Sequence, residues 1–76
     1  MIVISNRIDC RGLYDPWPLW LMKKALDRMR SGEILELITD DPSSELDMPA
    51  WSRLTGHPIL EVFSRDQLYS YYIQKM

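Results

Sequence analysis

One thiol, Cys10, and one carboxylate next to two prolines, in Asp15-Pro16-Trp17-Pro18, are the residues whose types and spacing could do chemistry in this chain. They lie in the run Ile8-Asp9-Cys10-Arg11-Gly12-Leu13-Tyr14-Asp15-Pro16-Trp17-Pro18, which reads as a strand end, a turn and an abrupt helix start. Aligned peptide dipoles and orphan N–H groups at a helix N-terminus favour negative charge, whether from a capping carboxylate, a bound anion or a thiolate. Asp15 stands at that point, where an N-cap carboxylate accepting N–H bonds from the first turn contributes about 0.5 to 2 kcal/mol relative to alanine. Cys10 lies five positions earlier. It either packs as a small residue at the strand end or reacts, with the adjacent Arg11 favouring its thiolate.

The elements that must position these groups follow from periodicity. Ile2, Ile4 and Ile8 fall at a period of two, with Ser5 and Arg7 between them, and predict a half-buried strand over residues 2 to 8, and Gly12 marks the turn after it. From Pro18 to Arg30, Leu19, Met22, Ala25, Leu26 and Met29 form one stripe at helical spacing, with Gly32 placed to stop the helix. Pro16 and Pro18 fit only a first turn. Residues 34 to 39 are strand formers that close at Asp40-Asp41-Pro42-Ser43-Ser44. A second helix follows, capped by Asp47 or a preceding serine, with Pro49 near its first turn, a stripe of Leu46, Ala50 and Leu54, and Gly56 at its end. Residues 59 to 63 and 68 to 75 predict two further strands joined by the turn Ser64-Arg65-Asp66-Gln67. In the last strand Tyr69, Tyr71 and Ile73 share a face, and a tyrosine is buried there only if its hydroxyl finds a partner. The order β-α-β-α-β-β predicts an α/β two-layer sandwich in which a four-stranded mixed sheet carries both helices on one face.

Size and composition bound the remaining choices. The 76 residues suit a single domain with one small core, and an apolar fraction of 46 % is ample for folding. Apolar runs fall far short of the ~20 residues that span a membrane, and no signal-peptide pattern is present, so the expected setting is cytoplasmic with no membrane partner. A single cysteine excludes an internal disulfide and a cysteine-rich metal site. The net charge of −2 conceals a basic first part, with Arg7, Arg11, Lys23, Lys24, Arg28 and Arg30 outnumbering Asp9, Asp15 and Asp27 before residue 33. Such a surface steers a partner or is simply a solvated helix face.

Trp17 and Trp20 lie one turn apart, with Trp20 about 160° round from the apolar stripe by the 3.6-residue period. Both are therefore expected to be at least partly exposed, on the side that carries Lys23, Lys24 and Arg28. Aromatic and basic groups together suit a protein interface or an RNA contact; otherwise the rings fold over the sheet edge. His57, between Gly56 and Pro58, is expected to cap the second helix rather than to catalyse. Asp40, Asp41 and Asp47 lack an EF-hand register and serve to charge a helix start, so no metal is expected. No phosphate loop, nucleotide fingerprint or triad is present, and no cofactor is implied.

Taken together, Ile8-Asp9, Gly12-Leu13, Asp15-Pro16-Trp17-Pro18, Lys24-Ala25-Leu26, Gly32-Glu33, Asp40-Asp41-Pro42, Asp47-Met48-Pro49, Gly56-His57 and the terminal Tyr69-x-Tyr71-x-Ile73-x-Lys75 resemble the TusA, SirA and YedF family of small sulfur carriers. The resemblance runs through nearly the whole chain and implies that family's two-layer sandwich. It also implies sulfur-relay partners, such as a cysteine desulfurase or an acceptor protein. In that family a Cys-Pro-x-Pro motif opens the first helix and its cysteine carries a persulfide; the matching residue here is Asp15, whose carboxylate cannot hold a sulfane sulfur. Asp15 would then mark the docking spot by imitating a thiolate's charge, while Cys10 is the alternative thiol, with Arg11 stabilising it. Arg11, Trp17, Trp20, Lys23, Lys24 and Arg28 would form the docking face of a protein-binding family member with a degenerate active site. The competing reading is an RNA-binding module, because the fold also resembles the C-terminal domain of the bacterial initiation factor that binds the small ribosomal subunit.

Overall fold

The computed structural model describes residues 2–14 and 16–76, and Met1 and Asp15 lie outside the described residues. Six elements follow one another: β1 (Asn6–Asp9), α1 (Trp17–Asp27), β2 (Ile34–Thr39), α2 (Ser44–Thr55), β3 (Ile59–Arg65) and β4 (Leu68–Gln74). They form a single mixed sheet in the order β1-β2-β4-β3, with β1 parallel to β2 and the other neighbours antiparallel. Parallel pairing of β1 and β2 demands a crossover, which α1 supplies.

Strand alternation decides which side of the sheet is covered. Leu35, Leu37 and Thr39 of β2 register against Ile73, Tyr71 and Tyr69 of β4, and all six are buried. Leu35, Leu37, Tyr69, Tyr71 and Ile73 make one core cluster with Met22 and Leu26 of α1, Met48 of α2 and Cys10, so both helices lie on that face. Each such aliphatic side chain, fully buried, stabilises the fold by about 1.5 to 3 kcal/mol relative to exposure. Tyr71 is accommodated because its hydroxyl shares a 2.7 Å hydrogen bond with the hydroxyl of Ser44, itself buried at the start of α2. On the opposite face Glu36 is also buried, held by the Arg7 guanidinium and by the Tyr72 hydroxyl, which donates at 3.1 Å.

Several boundaries differ from expectation for physical reasons. The first strand is Asn6–Asp9 rather than 2 to 8, because its only neighbour, β2, begins at Ile34 after a turn in which Gly32 has φ 90°. α1 ends at Asp27, three residues early, as the N–H groups of Arg28 and Met29 bond to the carbonyls of Ala25 and Leu26. Gly32 therefore does not stop the helix; it turns the chain into β2 and donates its N–H to Lys75. α2 begins at Ser44, with Ser43 at the N-cap position and Asp47 already inside the first turn. Its expected stripe is corrected most: Leu46 and Leu54 are 80 % and 87 % exposed, and the buried side runs through Ser44, Met48 and the half-buried Trp51. Pro49 stands inside this helix. The β3–β4 turn shrinks to Asp66-Gln67, both at positive φ (52° and 65°), the geometry that a two-residue hairpin loop requires.

Candidate functional site at the start of the first helix

Cys10 directly follows β1, and its N–H, donating to the Ile38 carbonyl at 2.7 Å, extends the parallel ladder by one residue beneath the helices. The side chain is 0 % exposed and belongs to the core cluster. Burial, and then the nearby charge of Asp9, push the thiol's pKa above its ordinary value, so the neutral form is favoured. Arg11 does not offset this. Its guanidinium forks onto Asp9, with Nη2 to Oδ2 at 2.6 Å and Nε to Oδ1 at 3.0 Å, and this pairing lowers the pKa of Asp9. The cation that the sequence offered to the thiolate is thus committed to a carboxylate on the surface.

After Cys10 the chain reverses. Gly12 adopts φ 79° and donates its N–H to Asp40 Oδ1 at 3.0 Å, tying this loop to the end of β2, while the Leu13 N–H returns to the Cys10 carbonyl. The Trp17 N–H bonds to the Tyr14 carbonyl and the Trp20 N–H to that of Pro16, which occupies the N-cap position; Pro18 fits as the second helical residue because no intrahelical partner for an N–H is needed there. Asp15, expected as the N-cap, lies outside the described residues. A small cleft beside Pro18 separates the starts of the two helices and is lined by Leu19, Ser44, Asp41 and Asp47.

Trp17 and Trp20 stand out from the helix at 57 % and 49 % exposure, with their rings edge-to-face at 6.1 Å between centroids. Lys24 Nζ sits 4.7 Å from the Trp20 ring centroid, a cation–π contact. Trp20, Lys24 and Arg28 line one open groove along α1, whose other wall includes Asn6 at the start of the β1 edge. Lys23 points elsewhere, into a 3.0 Å ion pair with Asp27. Arg11 faces a different cleft, with Asp40 and the Asp66-Gln67 turn. Of the six residues grouped by sequence as a docking face, four therefore form a continuous aromatic and cationic strip, and two are engaged by acids elsewhere.

Other expectations are corrected at the far end of the molecule. His57 does not cap α2: Gly56, at φ 82°, ends the helix with its N–H on the Ser52 carbonyl, and the imidazole stacks on Trp51 at 5.7 Å. His57 Nδ1 accepts the Met76 N–H, and burial followed by the charge of Lys75 lowers the ring's pKa. Asp41 accepts the Ser43 N–H at 3.0 Å, closing the turn before α2. No helix among the described residues is long and apolar enough to cross a membrane.

Residues 6–75 match the family model described as sulfurtransferase TusA. The chain belongs to the TusA family. It is 32 % identical over 75 residues to the sulfur carrier protein TusA of Buchnera aphidicola, covering 99 % of this chain and 95 % of that protein. It is 37 % identical over 68 residues to the putative sulfur carrier protein YrkI of Bacillus subtilis, covering 90 % and 91 % of the two. A putative sulfur carrier protein of Archaeoglobus fulgidus is 35 % identical over 69 residues, covering 91 % and 94 %. Among solved structures, the SirA-like protein of Desulfitobacterium hafniense superposes with a TM-score of 0.79 at 22 % identity, covering 92 % of this chain and 96 % of that one, which shows that the two share a fold.

Proposed function

We propose that this TusA-family chain serves sulfur relay by binding a partner protein, through Trp17, Trp20, Lys24 and Arg28, and does not carry persulfide on Cys10 in its native state. The burial of the only thiol supports this reading most directly. Uptake of a persulfide sulfur requires a thiolate that can reach the terminal sulfur of the donor, and Cys10 has neither access nor a lowered pKa. Asp15, at the position matching the family's carrier cysteine, supplies a negative charge with no sulfur nucleophile. The tryptophan pair supplies rigid apolar area beside two cations, the composition favoured at interface hot spots. The partner is a cysteine desulfurase or a sulfur acceptor with a complementary acidic surface.

The test is titration of a cysteine desulfurase and of an acceptor protein against the wild-type chain and its Trp17→Ala and Trp20→Ala variants. At least one partner should bind, with each tryptophan variant weakened about thirtyfold, as hot-spot truncations of about 2 kcal/mol require. Binding that ignores both substitutions would refute the docking face. The same strip of Trp20, Lys24 and Arg28 is the observation that favours RNA as a second reading. An RNA oligonucleotide titrated across salt separates the two, because phosphate contacts weaken steeply with added salt through counterion release.

A further inference from the structure

The two edges of the sheet are built differently. β1 is only four residues long, and a very short edge strand discourages pairing with another strand. β3 is seven residues long, and Leu60 through Arg65 are all exposed. Its start is guarded by Pro58 and by a register irregularity between Ile59 and Glu61. From Glu61 to Arg65 the ladder against β4 is regular, and no Pro, Lys or bulge protects that stretch.

We infer that a second copy of this chain pairs with β3 in antiparallel register about a two-fold axis at Phe63, joining two sheets into one of eight strands. The segment Glu61-Val62-Phe63-Ser64-Arg65 is self-complementary in charge about its centre. In that register Glu61 lies opposite the partner's Arg65, Arg65 opposite the partner's Glu61, and Phe63 opposite the partner's Phe63. All three side chains emerge on the face of the sheet that the helices leave open, since they register with Tyr72, Ser70 and Leu68 rather than with the buried Tyr71 and Tyr69.

The backbone phase agrees. Arg65 and Leu68 flank the two-residue turn and close the hairpin as a hydrogen-bonded pair, so by ladder alternation Arg65, Phe63 and Glu61 direct their N–H and C=O groups to β4. Val62 and Ser64 direct theirs outward. A two-fold axis at Phe63 sets Val62 against the partner's Ser64 as hydrogen-bonded pairs, and leaves Phe63 and the two Glu–Arg pairs at the narrow non-hydrogen-bonded positions, where side chains approach closest. Phe63 is 54 % exposed, and its edge-to-face contact with Tyr72 at 5.5 Å fixes the ring on the open face while leaving half of its surface for a partner to cover. Arg65 has only a loose 3.7 Å contact with Asp66, in which both side chains are almost fully solvated, and it remains available. Pairing of this kind is isologous: it consumes both β3 edges, leaves only the short β1 edges, and stops at two copies.

Sedimentation equilibrium of the full chain from micromolar to about millimolar concentration tests this. The expected result is a reversible monomer–dimer equilibrium. Glu61→Arg alone and Arg65→Glu alone place like charges opposite each other and should raise the dimer dissociation constant about tenfold, and the double variant should restore it. Val62→Pro removes an outward N–H without touching the β4 ladder and should abolish the dimer, while thermal melting monitored by circular dichroism stays cooperative. A wild-type chain that is monomeric throughout would overturn the inference. So would a dimer indifferent to Val62→Pro, or charge reversals with no rescue in the double variant. An extended peptide that occupies the edge of a monomeric chain would assign β3 to a different partner and also overturn it.

Discussion

Cys10 and the start of the Trp17–Trp20 turn lie seven positions apart in sequence, yet the fold treats them in opposite ways. Cys10 continues the β1–β2 ladder under the helices, where the side chain must be apolar and small, and its thiol is sealed at 0 % exposure. The tryptophans lie on the first turn of α1 opposite Met22 and Leu26, and their rings are left in water beside Lys24. Proximity in sequence to a helix start therefore does not confer its electrostatics. What matters is which way the strand end points, and which carboxylate captures the neighbouring cation. In this chain Asp9 captures Arg11, so the one thiol has lost both its access and its counter-charge.

The largest effect that could break this contrast is thiol accessibility. Alkylation of Cys10 should be about a thousandfold slower in the native chain than in denaturant, as expected for a group reached only by opening a folded core. A native rate within tenfold of the unfolded one would mean the thiol is exposed. The proposed docking face is tested by Lys24→Glu, which reverses the charge over Trp20 and should weaken partner binding about tenfold while flattening its dependence on salt. Cys10→Ala should leave binding within twofold of wild type.

Cys10→Ser probes the other side of the comparison. A hydroxyl buried in this apolar cluster without a partner should lower stability by about 1 to 3 kcal/mol, read from urea midpoints at unchanged slope, with no effect on the partner titration. The smallest effect is on pH dependence. The folded thiol's pKa lies above its unfolded value, near 9.0 in the ordinary case, because burial disfavours the thiolate. Its contribution is complete below that value and is lost as pH rises, because unfolding then releases the proton more readily. Melting temperatures measured from neutral pH upward should fall more for the wild type than for Cys10→Ala once pH exceeds the ordinary thiol range.

Most of the architecture was legible because its strongest elements are periodic. The run 34 to 39 is bounded by turn chemistry on both sides and appears as β2 at those limits, and Tyr69, Tyr71 and Ile73 emerge on the core face as their alternation requires. The buried stripe of α2 is not legible in this way, since Leu46, Ala50 and Leu54 are four apart and look like an apolar face. The buried side instead uses Ser44, which is polar and is accepted in the core only through its bond to Tyr71. That tertiary bond leaves no trace in hydropathy. The same holds for Glu36, a charged residue in an otherwise apolar strand, whose burial depends on Arg7 and Tyr72 arriving from two other strands. At the candidate site, the turn at Gly12, the two prolines and the outward tryptophans could be read locally. The burial of Cys10 and the capture of Arg11 by Asp9 could not, because they depend on how β1 is seated against β2 and on the side-chain rotamer of Arg11.

The central claim is that the native thiol of this chain takes no part in carrying sulfur. It is tested most directly by incubating the folded chain with a cysteine desulfurase and sulfur-labelled cysteine, followed by intact mass and peptide mapping, with Asp15→Cys as the companion. The wild-type chain should acquire no sulfur, and Asp15→Cys should acquire one sulfur atom at position 15. A persulfide on Cys10 of the folded wild-type chain would contradict the account.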